Sequence, residues 1–166
     1  MSLLSWLEDN PLSQFILEDA YAHPILLCVH AVGMAIVVGL VLMFDLRVMG
    51  YPKALPLTAF KSLTKLGWTG FALNAASGVV LFATRASSLP FNLAFQLKIG
   101  LIVFGGLSMW FLGRTAHAAV AADDDTAQFS LPVKAMAVLT ALVWIGAIVA
   151  GRYIGYTLEP RISIDG

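Results

Sequence analysis

Three stretches of the chain carry no Asp, Glu, Lys or Arg: Ala20 to Phe44, Leu66 to Thr84 and Ala135 to Gly151. A fourth apolar stretch, Phe91 to Gly113, is interrupted only by Lys98. Hydrocarbon offers backbone N–H and C=O groups no partner, so a spanning segment must satisfy its own, as a helix of about 20 mostly apolar residues. The pattern therefore predicts four transmembrane helices, near 21–47, 59–85, 91–117 and 131–157. Ahead of them, Asn10 as N-cap and Pro11 at the first helical position predict a short helix over Pro11–Asp19. Trp6, Leu7, Phe15, Ile16 and Leu17 would let this tail lie at the membrane surface. The connection Ala86–Pro90 is too short to separate its helices, so spans two and three form an antiparallel hairpin. The expected fold is all-α: a four-helix transmembrane bundle with a short interfacial N-terminal helix, one domain over residues 1–166.

Composition agrees. Hydrophobic residues make up 59% of the 166 and charged residues 12%, against about 25% charged in ordinary globular proteins. That excludes a disordered chain and a solvated bundle. Ten basic residues balance ten acidic ones, so no bulk charge marks a nucleic-acid binder. The single cysteine, Cys28, excludes an internal disulfide and a CxxC zinc site. The first nineteen residues hold four acids and no base, the opposite of a cleavable signal.

The basic residues set an orientation. Arg47, Lys53, Lys61 and Lys65 in the first loop, with Arg114 and Lys134 in the third, outnumber Arg85, Arg152 and Arg161 on the other side. Acids such as Asp123–Asp125 contribute little to the rule. The positive-inside rule then places both termini in the periplasm of a bacterial inner membrane. Small residues at helix-packing spacing, Gly70, Asn74 and Gly78 in span two and Ala147, Gly151 and Gly155 in span four, suit close helix contact. Most serve bundle packing, and one such face is expected to support a homo-oligomer.

Chemistry is sought in polar groups inside the spans, where ionisable residues are costly and usually functional. At 1.5 Å per residue, His30, Lys98 and Arg152 fall in one layer of the outer leaflet. Arg85 and Asn92 lie just above that layer and Asn74 below it. The acids on that side, Glu18, Asp19 and Glu159, sit too shallow to neutralise the two cations. The counter-charge expected is a ligand's carboxylates or phosphate, the alternative being that Lys98 and Arg152 snorkel to water. Haem b meets the description: His30 as axial ligand, Gly33 one turn along the same face clearing a slot, and Lys98 and Arg152 for the propionates. His23, nearer the surface, is the candidate for a second metal, copper, against the plainer reading of an interfacial histidine at a helix start. No second histidine lies at the depth of His30. His117 reads as a cation at a helix C-terminus. Asp45 reads as a structural clamp to Lys65 or Arg47, since no second intramembrane acid supports a proton relay. There is no nucleophile elbow, no glycine-rich phosphate loop and no paired carboxylates in a span, so an enzyme is neither indicated nor excluded.

The strings His23-Pro-Ile-Leu-Leu-Cys-Val-His30-Ala-Val-Gly33, Asp45-Leu-Arg47-Val-Met-Gly50, Phe95-Gln-Leu-Lys98 and Gly151-Arg152-Tyr-Ile-Gly-Tyr156 carry a resemblance. The chain resembles small bacterial four-span membrane proteins of unknown function, loosely cytochrome b-like or copper-resistance-D-like. Similarity to di-haem cytochromes b implies haem and electron transfer, with His30 at the ligand position; it departs from them in lacking a histidine partner on a second helix. The function expected is a haem b-binding membrane protein in redox or sensing. The alternatives are an accessory subunit without catalysis and a small-anion carrier lined by Lys98 and Arg152.

Overall fold

The computed structural model describes residues 3–51, 55–121 and 128–157. Lys53, Asp123–Asp125, Glu159 and Arg161 lie outside the described residues. Within them the chain is helical, with no strand: α1 (Leu3–Glu8), α2 (Pro11–Glu18), α3 (Ala22–Met49), α4 (Thr58–Ala83), α5 (Leu93–Ala121) and α6 (Leu131–Thr157), plus a 3₁₀ turn at Leu89–Phe91. The helices α3 to α6 are each long and apolar enough to cross a membrane. Their bounds match the expected spans within a few residues, the largest difference being four further residues at the end of α5.

Local signals set the element ends. The Asn10 side chain accepts the Leu12 N–H at 2.9 Å, with Pro11 opening α2. Gly50, at φ 108°, closes α3, its N–H reaching the Leu46 and Arg47 carbonyls while Tyr51 N–H returns to Leu46 at 2.9 Å. Such a left-handed C-cap is a glycine position.

Helix α3 is the hub. It packs along α4 on one side and α6 on the other, and α5 packs along α6, so α4 and α5 are the least closely packed neighbours. The Phe82 and Phe95 rings, stacked at 5.7 Å, join those two at one end. Between α3 and α4 the backbones nearly touch: a Cβ on Gly33 would stand 2.7 Å from the Asn74 backbone nitrogen. The small-residue face of span two thus packs inside the bundle, with Gly70 against Ile36 and Gly78 against His30. In span four, Gly151 meets Lys98 and Ala147 is buried, while Gly155 stands open. Near the opposite end, Phe44, Val48, Leu57, Leu112, Ala116 and Ala137 form the apolar core.

Helices α1 and α2 cap the end where α3 begins and α6 stops. Glu8 is buried there and accepts hydrogen bonds from the Ser87 N–H, at 3.0 Å, and the Ser87 hydroxyl. Ser13 donates to the Leu7 carbonyl at 2.9 Å, holding α1 and α2 together. Ile16 turns inward, while Trp6, Leu12 and Phe15 stay exposed. An apolar outer surface at the end of a transmembrane bundle suits the membrane interface.

Candidate functional site

Below this cap, all four long helices contribute to one half-buried polar cluster. His30 comes from α3, Asn74 and Ser77 from α4, and Lys98 from α5, with Gly151 of α6 opening the space Lys98 crosses. Asn74 donates from Nδ2 to the His30 carbonyl at 2.8 Å. The His30 Nδ1 lies 3.0 Å from the Asn74 carbonyl oxygen and 3.0 Å from the Ser77 Oγ. Ser77 spends its own proton on the Leu73 carbonyl, at 2.6 Å. Both oxygens therefore face Nδ1 as acceptors, which assigns the proton to Nδ1 and a lone pair to Nε2. That lone pair faces the Lys98 Nζ at 3.4 Å.

Lys98 does not snorkel. Its terminal carbons and Nζ lie about 3.3–3.4 Å from where a Cβ on Gly151 would be, so a larger residue there would crowd the chain. The ammonium is turned inward, onto an imidazole. Among the described residues no carboxylate pairs with it. The expected layer is thus real for two of its three members: His30 and Lys98 meet. Arg152 does not join them, being exposed with its guanidinium 5.8 Å from the Tyr156 ring centroid. Asn74, which the sequence put below the layer, proves to be the residue that orients His30.

The remaining candidates lie apart. Arg85 follows α4 at the capped end, next to the Glu8–Ser87 contact in sequence, and is half-buried. His23 is half-buried with the Arg85 charge nearby. Among the described residues, no group of three His, Cys, Asp or Glu side chains is placed to hold a metal ion, at His23 or elsewhere. Asn92 donates to the Thr157 hydroxyl at 2.8 Å, tying α5 to α6. His117 is exposed. Asp45 makes neither expected clamp: Lys65 is exposed, Arg47 gives its Nε–H to the Leu55 carbonyl, and the Asp45 carboxyl has no partner among the described residues.

Haem places two demands on this site. A ligating imidazole held through Nδ1 by a carbonyl is the usual arrangement, and His30 has it. Room for the macrocycle is missing. The face of Gly33 is filled by the Asn74 backbone, and Gly78 packs against the His30 ring, with a Cβ there 3.1 Å from Cε1. The cavity beside the site, lined by residues including Asn74 and Trp144, measures about 30 Å³, the volume of about one water. Haem does not fit the site as folded.

Comparison with protein-family models, curated proteins and solved structures finds no match to the chain.

Proposed function

We propose that this chain is a multi-pass protein of a bacterial inner membrane that holds an anionic guest, bearing a carboxylate or a phosphate, on Lys98 beside His30. One observation carries the reading: Lys98 points into the bundle onto His30, with no carboxylate paired with it among the described residues. An ammonium in a low-dielectric setting is costly unless paired, and intramembrane cations commonly mark ligand or ion sites. Imidazole supplies a dipole and a lone pair but no charge. A guest oxygen would complete the set, using the donors on Nζ that His30 leaves free. The enclosed cavity holds only about one water, so the acidic head of the guest would reach Lys98 from the loosely packed seam between α4 and α5, with its body lying in that seam. The six-to-three distribution of loop and terminal basic residues supports the periplasmic leaflet as the site's location and the periplasm for both termini.

The test is calorimetric titration of the detergent-purified chain with inorganic phosphate and with a medium-chain carboxylate. Saturable binding of at least one is expected. Lys98→Met should weaken it by one to two orders of magnitude, the loss of a charge-assisted contact of about 1.5–3 kcal/mol. Absence of saturable binding to folded wild-type protein contradicts the reading.

Haem b on His30, with a redox or electron-transfer role, is the second reading. It is favoured by the Nδ1 anchoring and requires Lys98 to leave Nε2 and α4 to part from Gly33. A Soret band in purified wild-type protein, lost in His30→Ala with helicity retained, would establish it. A colourless, folded protein from haem-replete cells would retire it.

A further inference from the structure

Three side chains in the long helices keep buried polar atoms without hydrogen-bond partners among the described residues: the carboxyl of Asp45 on α3, and the hydroxyl of Thr140 and indole N–H of Trp144 on α6. Asp45 and Thr140 are each 0% exposed. Asp45 shares the inward face of α3 with Val38, Val41 and Val48, and Thr140 that of α6 with Ala137, Val143 and Ala147. An unpaired buried polar group costs about 1–3 kcal/mol, and lipid cannot repair it. Such groups call for a bound water or a functional use.

Their depths form a series. Counted from the uncapped helix ends at 1.5 Å per residue, Asp45 lies about 6 Å in, Thr140 about 14 Å, Trp144 about 20 Å, Asn74 about 24 Å and His30 about 29 Å. These are offsets along the helix axes, each about 4–8 Å, a spacing in depth that one or two waters can span. The one-water cavity lined by Asn74 and Trp144 draws its walls from all four long helices. Of the charged groups on the surrounding helices, Arg47 is turned to Leu55, Lys61, Lys65, Arg114 and His117 are exposed, and Lys134 is half-buried; none pairs with Asp45.

We propose that the bundle axis is a proton path, in which waters join the Asp45 carboxyl through Thr140, and past Trp144 and Asn74, to the His30–Lys98 pair. A proton taken up at Asp45 passes to the adjoining water. Each water or hydroxyl releases one proton as it receives one, so no heavy-atom bond changes and nothing is oxidised or reduced. Trp144 and the Asn74 amide only donate, and they orient water rather than relay. Lys98 Nζ releases a proton towards the capped end, the last water gives one to the Nε2 lone pair, and Nε2 passes a proton on to the neutral Nζ, restoring the pair. The path ends on the pair that is proposed to hold the anion, but its defining residues, Asp45 and Thr140, lie outside that site, so the two readings are tested separately.

The test uses the full chain in lipid vesicles that enclose a pH-sensitive dye, with a potassium diffusion potential driving proton entry. Wild-type vesicles should acidify faster than protein-free ones. Asp45→Asn should reduce the rate to that of protein-free vesicles, and Thr140→Val and Trp144→Phe should slow it several-fold. Anion titration of Asp45→Asn is expected to match wild type, so the two readings fail separately. Wild-type flux at the protein-free level overturns the proposal, as does undiminished flux in folded Asp45→Asn. If Asp45→Asn does not fold, undiminished flux in both Thr140→Val and Trp144→Phe overturns it.

Discussion

The Lys98 ammonium of α5 reaches across the bundle to within 3.4 Å of Nε2 of His30 on α3. A hydrogen bond in which the ammonium donates to the lone pair fixes both side chains but leaves the positive charge in place. The rest of the cluster is arranged to keep the imidazole so oriented. Asn74 and Ser77 hold Nδ1, and Gly78 leaves room for the ring edge. The cluster joins three helices at one level, so it also fixes the register of α3, α4 and α5.

Helix register makes the first prediction. A methyl on Gly33 would meet the Asn74 backbone, which cannot swing away as a side chain would. Gly33→Ala should destabilise the bundle by about 1–3 kcal/mol, the cost of overpacking, and disturb the His30–Asn74 contacts with it. Gly39→Ala, where nothing lies within 4 Å, is the matched control and should be neutral or slightly stabilising. Unfolding in mixed detergent, followed by circular dichroism, reads both. Equal stability of the two variants would contradict the close helix approach.

The cap makes the second. Glu8 is tied to the turn after α4 by two hydrogen bonds from Ser87. Glu8→Ala should free α1 and α2, speeding amide exchange across residues 3–18, while exchange in α3 to α6 stays unchanged. Unaltered protection of α1 and α2 would mean that their apolar contacts alone hold them.

Orientation makes the third. A reporter active only in the cytoplasm should work when inserted near Pro56 and fail when placed after Gly166. The reverse pattern would put the His30–Lys98 site in the cytoplasmic leaflet.

The spans and the depth of their polar residues were legible because both depend on counting along a helix axis. Charge-free runs marked α3, α4 and α6, and a rise of 1.5 Å per residue brought His30 and Lys98 to one level. Rotation about the axis was not legible. A helix apolar all round has no stripe to say which way it faces, so Arg152 could be assigned a depth but no direction. One residue after the inward-facing Gly151, it turns away from the site. The same limit hid Asp45, whose expected partners, Arg47 two residues on and Lys65 on the next helix, face elsewhere. Gly33 was placed on the correct face, that of His30, but its neighbour is the α4 backbone rather than a cofactor. Only tertiary packing decides what occupies a glycine's open side.

The difference between Lys98 and Arg152 makes the fourth prediction. Both are cations near the capped end, but only Lys98 faces His30. Arg152→Ala should leave anion affinity within about threefold of wild type, a change of under about 0.7 kcal/mol. If it weakens binding as much as Lys98→Met does, the guest also reaches the outer surface of α6, as the propionates of haem would.

The most direct measurement is native mass spectrometry of the chain released from mild detergent, comparing wild type with Lys98→Met. Wild-type protein should carry one acidic molecule per chain, identified after denaturation by its carboxylate or phosphate, and Lys98→Met of equal helicity should have lost it. Identical bound species in the two proteins, or none in either, would contradict the claim that Lys98 holds an anionic guest beside His30.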